Sequence, residues 1–83
     1  MNLNENFHLT ETDYGAVLLD EATGEYWELN PSGALILSLL LDDAAEADVA
    51  EKVTARYEVE RAQAERDIAE LVHGLRTQRI LAD

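Results

Sequence analysis

The sequence has 83 residues, no cysteine, and 18 Asp and Glu against 6 Lys and Arg, a formal charge of −12. That length bounds it to one domain, 1–83, whose small core removes roughly 60–65% of the unfolded surface from water. The charge weighs against nucleic acid and anionic membrane as partners. Absent thiols exclude disulfides, thiolate zinc sites and a Cys nucleophile, and 47% apolar residues exclude an acidic disordered tail.

Phe7, Leu9 and Glu11 alternate with polar residues and predict a first strand. Ala16-Val17-Leu18-Leu19 predicts a second. Glu21-Ala22-Thr23-Gly24 reads as a turn, and Glu25-Tyr26-Trp27-Glu28-Leu29 as a third strand, antiparallel to the second. Alternation puts Trp27 and Leu29 on one face, with Leu29 assigned to the core, and Tyr26 on the other.

Asn30 is the expected N-cap of a first helix from Pro31 to about Leu41, since proline at the first helical position forfeits no needed donor. This helix is apolar nearly all round, so it belongs in the middle of the domain. Asp43, with Glu46 three residues on, has capping-box spacing for a second helix whose apolar face is Val49, Ala50, Val53 and Tyr57. A turn at Glu58-Val59-Glu60 leads to the longest helix, Arg61 to Thr77. There Ala64, Ile68, Leu71, Val72 and Leu75 share one arc, Asp67 borders it, and His73 points away. Ile80-Leu81 is expected to fold back as a closing segment. Three strands followed by three helices predict an α+β domain, a three-stranded antiparallel sheet covered on one face by a helical trio.

The acidity is uneven. Residues 1–48 carry eleven acids and no Lys or Arg, whereas residues 49–83 carry seven acids and all six bases. This is either a solvated surface that favours solubility or a field that attracts a basic peptide or protein face. Met1 to Asn6 has neither positive charge nor an apolar run, so no secretory signal is expected. The run Ala34 to Leu41 is far short of the ~20 residues a membrane span needs. A small domain without disulfide staples is expected in a reducing cytoplasm.

No catalytic constellation emerges. The histidines, His8 and His73, read as surface residues, and the four glycines at 15, 24, 33 and 74 have no phosphate-cradling spacing. Asp42, Asp43, Glu46 and Asp48 could attract a hard cation but lack calcium-loop spacing, and helix capping accounts for them. Neither a cofactor, a metal nor enzymatic activity is expected. What remains is binding. The aromatic strand Glu25 to Leu29 at a sheet edge can receive an added strand, beside an apolar wall from the last helix. A winged-helix DNA-binding regulator is the alternative, opposed by Glu65, Asp67 and Glu70 against Arg61, Arg66 and Arg76. A permanently docked small subunit is a third.

The run Ala16-Val17-Leu18-Leu19-Asp20, then Thr23-Gly24-Glu25-Tyr26-Trp27-Glu28-Leu29-Asn30-Pro31-Ser32-Gly33-Ala34, resembles the PqqD-like family. So do Val49-Ala50, Arg56-Tyr57-Glu58-Val59, Ala64-Glu65-Arg66-Asp67-Ile68 and Leu71, and together they span about residues 14–82. The resemblance implies a winged helix-turn-helix-like fold and a recognition element for ribosomally made, post-translationally modified peptides. It implies that a precursor's leader peptide adds antiparallel to the third strand, at Glu25, Tyr26, Trp27, Glu28 and Leu29, and packs on the third helix, at Ala64, Asp67, Ile68, Leu71, Val72 and Leu75. The Gly-containing hairpin is most similar to stand-alone recognition proteins of lasso-peptide biosynthesis, which work with a separate leader peptidase and a cyclase. The peptide chaperone of redox-cofactor (PQQ) biosynthesis ranks second. A monomer is expected when the peptide is absent.

Overall fold

The computed structural model describes residues 1–82. Three strands, β1 (Phe7–Thr12), β2 (Gly15–Asp20) and β3 (Tyr26–Leu29), precede three helices, α1 (Pro31–Leu41), α2 (Glu46–Arg56) and α3 (Arg61–Thr77). The sheet is antiparallel throughout, in the order β1-β2-β3. The α+β, winged-helix-like arrangement expected from the sequence is therefore the one adopted. No helix among the described residues is long and apolar enough to cross a membrane.

Period-two patterning decides which way the sheet faces. Phe7, Ala16 and Leu18 are buried on the inner face, and Trp27 joins them half-buried, its ring 6.0 Å from that of Phe7 and tilted by 42°. The register stacks His8, Leu19 and Tyr26 across the outer face, where Tyr26 is 62% exposed. Gly15 starts β2 at φ +143°, and a Cβ there would run into the Leu29 carbonyl oxygen, so the β2–β3 approach requires glycine.

Asp20 closes the β2–β3 turn. Its main-chain N–H donates to the Glu25 carbonyl at 2.8 Å, its carbonyl accepts from Gly24 N–H at 2.8 Å, and Gly24 turns at φ +79°. Its Oδ1 accepts from Asn6 Nδ2 at 2.8 Å and from Ala22 N–H at 2.9 Å. The Asn6 hydrogen bond, which favours the ionised form, holds this carboxyl below its ordinary value against a smaller opposing effect of burial, with further help from Ala22 and Thr23. A depressed folded value means that the stabilisation is complete above the unfolded value of about 3.9 and fades as pH falls through the lower folded one. Urea midpoints should therefore favour the native chain over D20N at pH 6, and the difference should vanish on the acid side of that window.

Asn30 caps α1, its Oδ1 accepting from Gly33 N–H at 2.8 Å, with Pro31 at the first helical position. Ala34, Ile36, Leu37 and Leu40 bury α1 between the sheet and the other helices. The expected capping role of Asp43 is not what the chain does. Asp43 takes φ +66° just past α1, where Ala44 N–H donates to Leu39 O at 3.0 Å and Asp43 N–H to Leu40 O at 3.1 Å. That is a left-handed helix stop, and it consumes Asp43 before α2 begins. Its Oδ1 accepts from the N-terminal amine at 2.8 Å, an interaction that lowers its pKa. Ala45 then stands at the N-cap of α2 without a side-chain bond, and Glu46 and Asp48 complement the positive end of the helix dipole.

Val49, Ala50 and Val53 of α2 pack against Ala64, Ile68, Val72 and Leu75 of α3 in one core, and Tyr57, just beyond α2, lies at its edge. The same left-handed stop ends α3. Arg79 at φ +59° lets Ile80 N–H reach Leu75 O at 2.8 Å, and the buried Ile80 and Leu81 fold back. Leu81 bridges to Leu3, tying the chain ends together.

Candidate functional site: a groove between a free strand edge and the last helix

Among the described residues only one edge of β3 is paired, and the register shows what the other edge offers. Asp20 N–H bonds to Glu25 O, and from there the antiparallel ladder alternates. Trp27, opposite Leu18, and Leu29, opposite Ala16, direct their main-chain groups toward β2. Tyr26 and Glu28 direct theirs toward the open edge. An incoming strand thus finds two N–H and two C=O groups already in extended geometry.

The open edge borders a groove whose opposite wall is α3. Its wider part, about 540 Å³, is lined on one side by Glu28, Leu29 and the start of α1, and on the other by Tyr57, Val59, Asp67 and Leu71. A narrower end of about 150 Å³ lies among Leu18, Trp27, Leu29, Leu71, Gly74, Leu75, Gln78 and Ile80. Leu29 and Leu71 line both parts, so the two form one continuous trough. Asp67, Leu71, Gly74 and Gln78, spaced i, i+4, i+7 and i+11, identify the flank of α3 that faces it.

The expected binding residues divide. Glu28, Leu29, Asp67 and Leu71 line the wider part, and Trp27, Leu29, Leu71 and Leu75 the narrower. Leu29, assigned to the core from sequence, is half-buried and shared between core and groove. Glu25 lies just before β3 and supplies a carbonyl to the turn, and Tyr26 offers main-chain groups to the edge while its ring faces outward. Ala64, Ile68 and Val72 are 1%, 2% and 3% exposed, held in the core, with Ile68 bordering a separate depression beside Glu46, Ala47 and Glu65. Sequence reasoning did not assign Tyr57, Val59, Gly74 or Gln78 to the binding site. The i, i+4, i+7, i+11 row beginning at Asp67 carries the signal for the last two. The α2–α3 turn, which has no periodicity, delivers the first two.

Little in the trough suggests bond-making chemistry. Ser32 Oγ donates to Asn30 Oδ1 at 3.1 Å as part of the helix cap. His8 pairs with Glu21 at 3.3 Å on the solvent side, and neither histidine lines the groove. No group of three or more His, Asp or Glu among the described residues is placed to hold a metal ion.

No curated protein matches the chain. Two solved structures are similar along nearly its whole length. One, "Lasso peptide synthetase B1 complexed with the leader peptide", is 51% identical, covers 95% of this chain and 93% of its own, and superposes with a TM-score of 0.86. The other, "TbiB1 in Complex with the TbiA(beta) Leader Peptide", is 28% identical over 98% and 94%, with a TM-score of 0.83. Residues 15–81, from the glycine that opens β2 to the closing leucine, match the family model described as coenzyme PQQ synthesis protein D, and the chain belongs to the PqqD family.

Proposed function

We infer that the chain binds the leader region of a ribosomally made precursor peptide, of the lasso-peptide type, by strand addition to β3 beside α3. The observation that carries this reading is the open edge at Tyr26 and Glu28 facing an apolar trough. The 51%-identical relative was solved with a leader peptide, which supports the same reading and favours the lasso type over the redox-cofactor chaperone. Four main-chain bonds at about 1 kcal/mol each and two buried apolar side chains at about 2 kcal/mol supply about 8 kcal/mol, the figure for micromolar affinity, before the cost of ordering the peptide is subtracted, so these contacts alone give binding weaker than micromolar. The protein acts without catalysis, presenting the precursor to a separate leader peptidase and a cyclase. A DNA-binding role is disfavoured by the −12 charge and by acids interleaved along α3.

Calorimetry with a synthetic lasso-peptide leader tests the reading. Heat of binding with shifted amide resonances at residues 26–29 is expected, and the absence of both would end the reading. Gly74 offers a sharper probe. Nothing lies within 4 Å of where its Cβ would be, so G74A should raise stability by about 0.5–1 kcal/mol through helix propensity alone. G74L should keep that gain yet fill the narrow end and weaken leader binding. Urea unfolding and calorimetry on the two variants separate the effects.

A further inference from the structure

The end of the groove at Tyr57, Val59 and Asp67 differs in chemistry from the rest. Asp67 is exposed, one turn before Leu71. Its Oδ1 accepts from Gln63 Nε2 at 2.8 Å, and Gln63 Oε1 accepts from Arg66 at 2.8 Å. The glutamine holds the carboxylate in place, and the second oxygen makes no hydrogen bond or ion pair among the described residues. Beside it, Val59 is 37% exposed and the Tyr57 ring is half-buried. A carboxylate next to an aliphatic and an aromatic side chain complements a long cationic one. The stem covers apolar surface and the head meets the carboxylate and the ring. The residues lining the two parts of the trough include Glu28 and Asp67 but no Lys or Arg. The strand side of the trough comes from the half of the chain that carries eleven acids and no Lys or Arg.

We propose that the peptide this groove takes is basic and seats a Lys or Arg side chain against Tyr57, Val59 and Asp67. The proposal rests on the leader-binding reading above and adds to it the chemistry of the ligand. A strand added to β3 turns alternate side chains toward α3. The cation and the apolar side chain that fills the narrow end are therefore an even number of positions apart.

Selection of short random peptides displayed on phage tests this, run in parallel on the native protein, D67N and D67R. Asp67 is exposed, so both variants keep the fold. Native selections should enrich Lys or Arg at an even spacing from a large apolar residue. D67N should keep the apolar preference, lose the basic one, and bind a native-selected peptide about threefold more weakly, as for an exposed ion pair. D67R should switch the preference to Asp or Glu at the same position. Native selections without a basic preference, or an unchanged preference in D67R, would overturn the proposal while leaving strand addition standing. Selected peptides that bind E28P as well as the native protein would instead overturn strand addition, and this proposal with it.

Discussion

Replacing Glu28 with proline is expected to weaken leader binding tenfold or more while the sheet stays folded. The expectation follows from the ladder phase. Counting from the Asp20–Glu25 bond, the Glu28 N–H faces the open edge rather than β2. Proline there removes a donor that the free protein does not use, the position at which a sheet tolerates it. In the complex, one peptide carbonyl loses its partner inside the trough. The lost bond, about 1 kcal/mol net, and the stranded acceptor, about 1–3 kcal/mol, exceed the 1.4 kcal/mol that corresponds to tenfold. W27P is the contrast. The Trp27 N–H faces Leu18 in β2, so proline there breaks the inner ladder and the ring no longer packs on Phe7. Circular dichroism should show E28P native and W27P disrupted, and calorimetry should show E28P weakened. Native affinity in a folded E28P would rule out strand addition at this edge.

Much of this arrangement is legible locally because single residues decide it. Asn30-Pro31 starts α1 whatever surrounds it, since the cap bond and the proline φ are internal to the segment. The alternation Tyr26 to Leu29 and the spacing of Ala64, Ile68, Val72 and Leu75 sort each element's faces before any packing is known. Asp43 shows where local reading stops. An acid three residues before Glu46 fits a capping box, and the same acid fits a left-handed helix stop. The stop prevails because the Leu39 and Leu40 carbonyls at the end of α1 need donors, and the amine of Met1, distant in sequence, settles on the carboxylate. The groove has the same limit. Its two walls are readable as an edge strand and a helical stripe. The part played by Tyr57 and Val59 depends on where the α2–α3 turn lands, which no periodicity encodes.

The charge asymmetry also takes on a location. The eleven acids of residues 1–48 lie on the strands and the segments flanking them, just past the end of α1, and at the start of α2, while α1 itself carries none. An added strand would lie along the edge of that half, with Glu28 beside it and Asp67 across the trough. Long-range attraction of a basic peptide speeds encounter more than it tightens the complex. Added salt should accordingly slow association more than it speeds dissociation.

Val72→Glu and Leu71→Glu, one helical step apart, should fail in different ways. Read from sequence, the apolar stripe of α3 serves core and groove together, so Val72→Glu is expected to impair binding and stability at once. The structure divides the stripe. Val72 is 3% exposed among Val49, Val53 and Ile68, with no cationic partner in that core. Burying a carboxylate there should cost more than about 4 kcal/mol. A domain of this size has about 4–12 kcal/mol in all, so V72E should be largely unfolded, and its loss of binding reports only the loss of fold. Leu71 is half-buried and lines both parts of the trough. Its glutamate can turn toward water, at about 1–2 kcal/mol of stability. Leader binding loses an apolar contact worth about 2 kcal/mol, close to thirtyfold, and more if the peptide sets apolar surface against the new charge. Urea unfolding should therefore show L71E folded and V72E not, with calorimetry showing weak binding by a folded L71E. If L71E binds the leader as tightly as the native protein, the peptide does not run between β3 and this flank of α3.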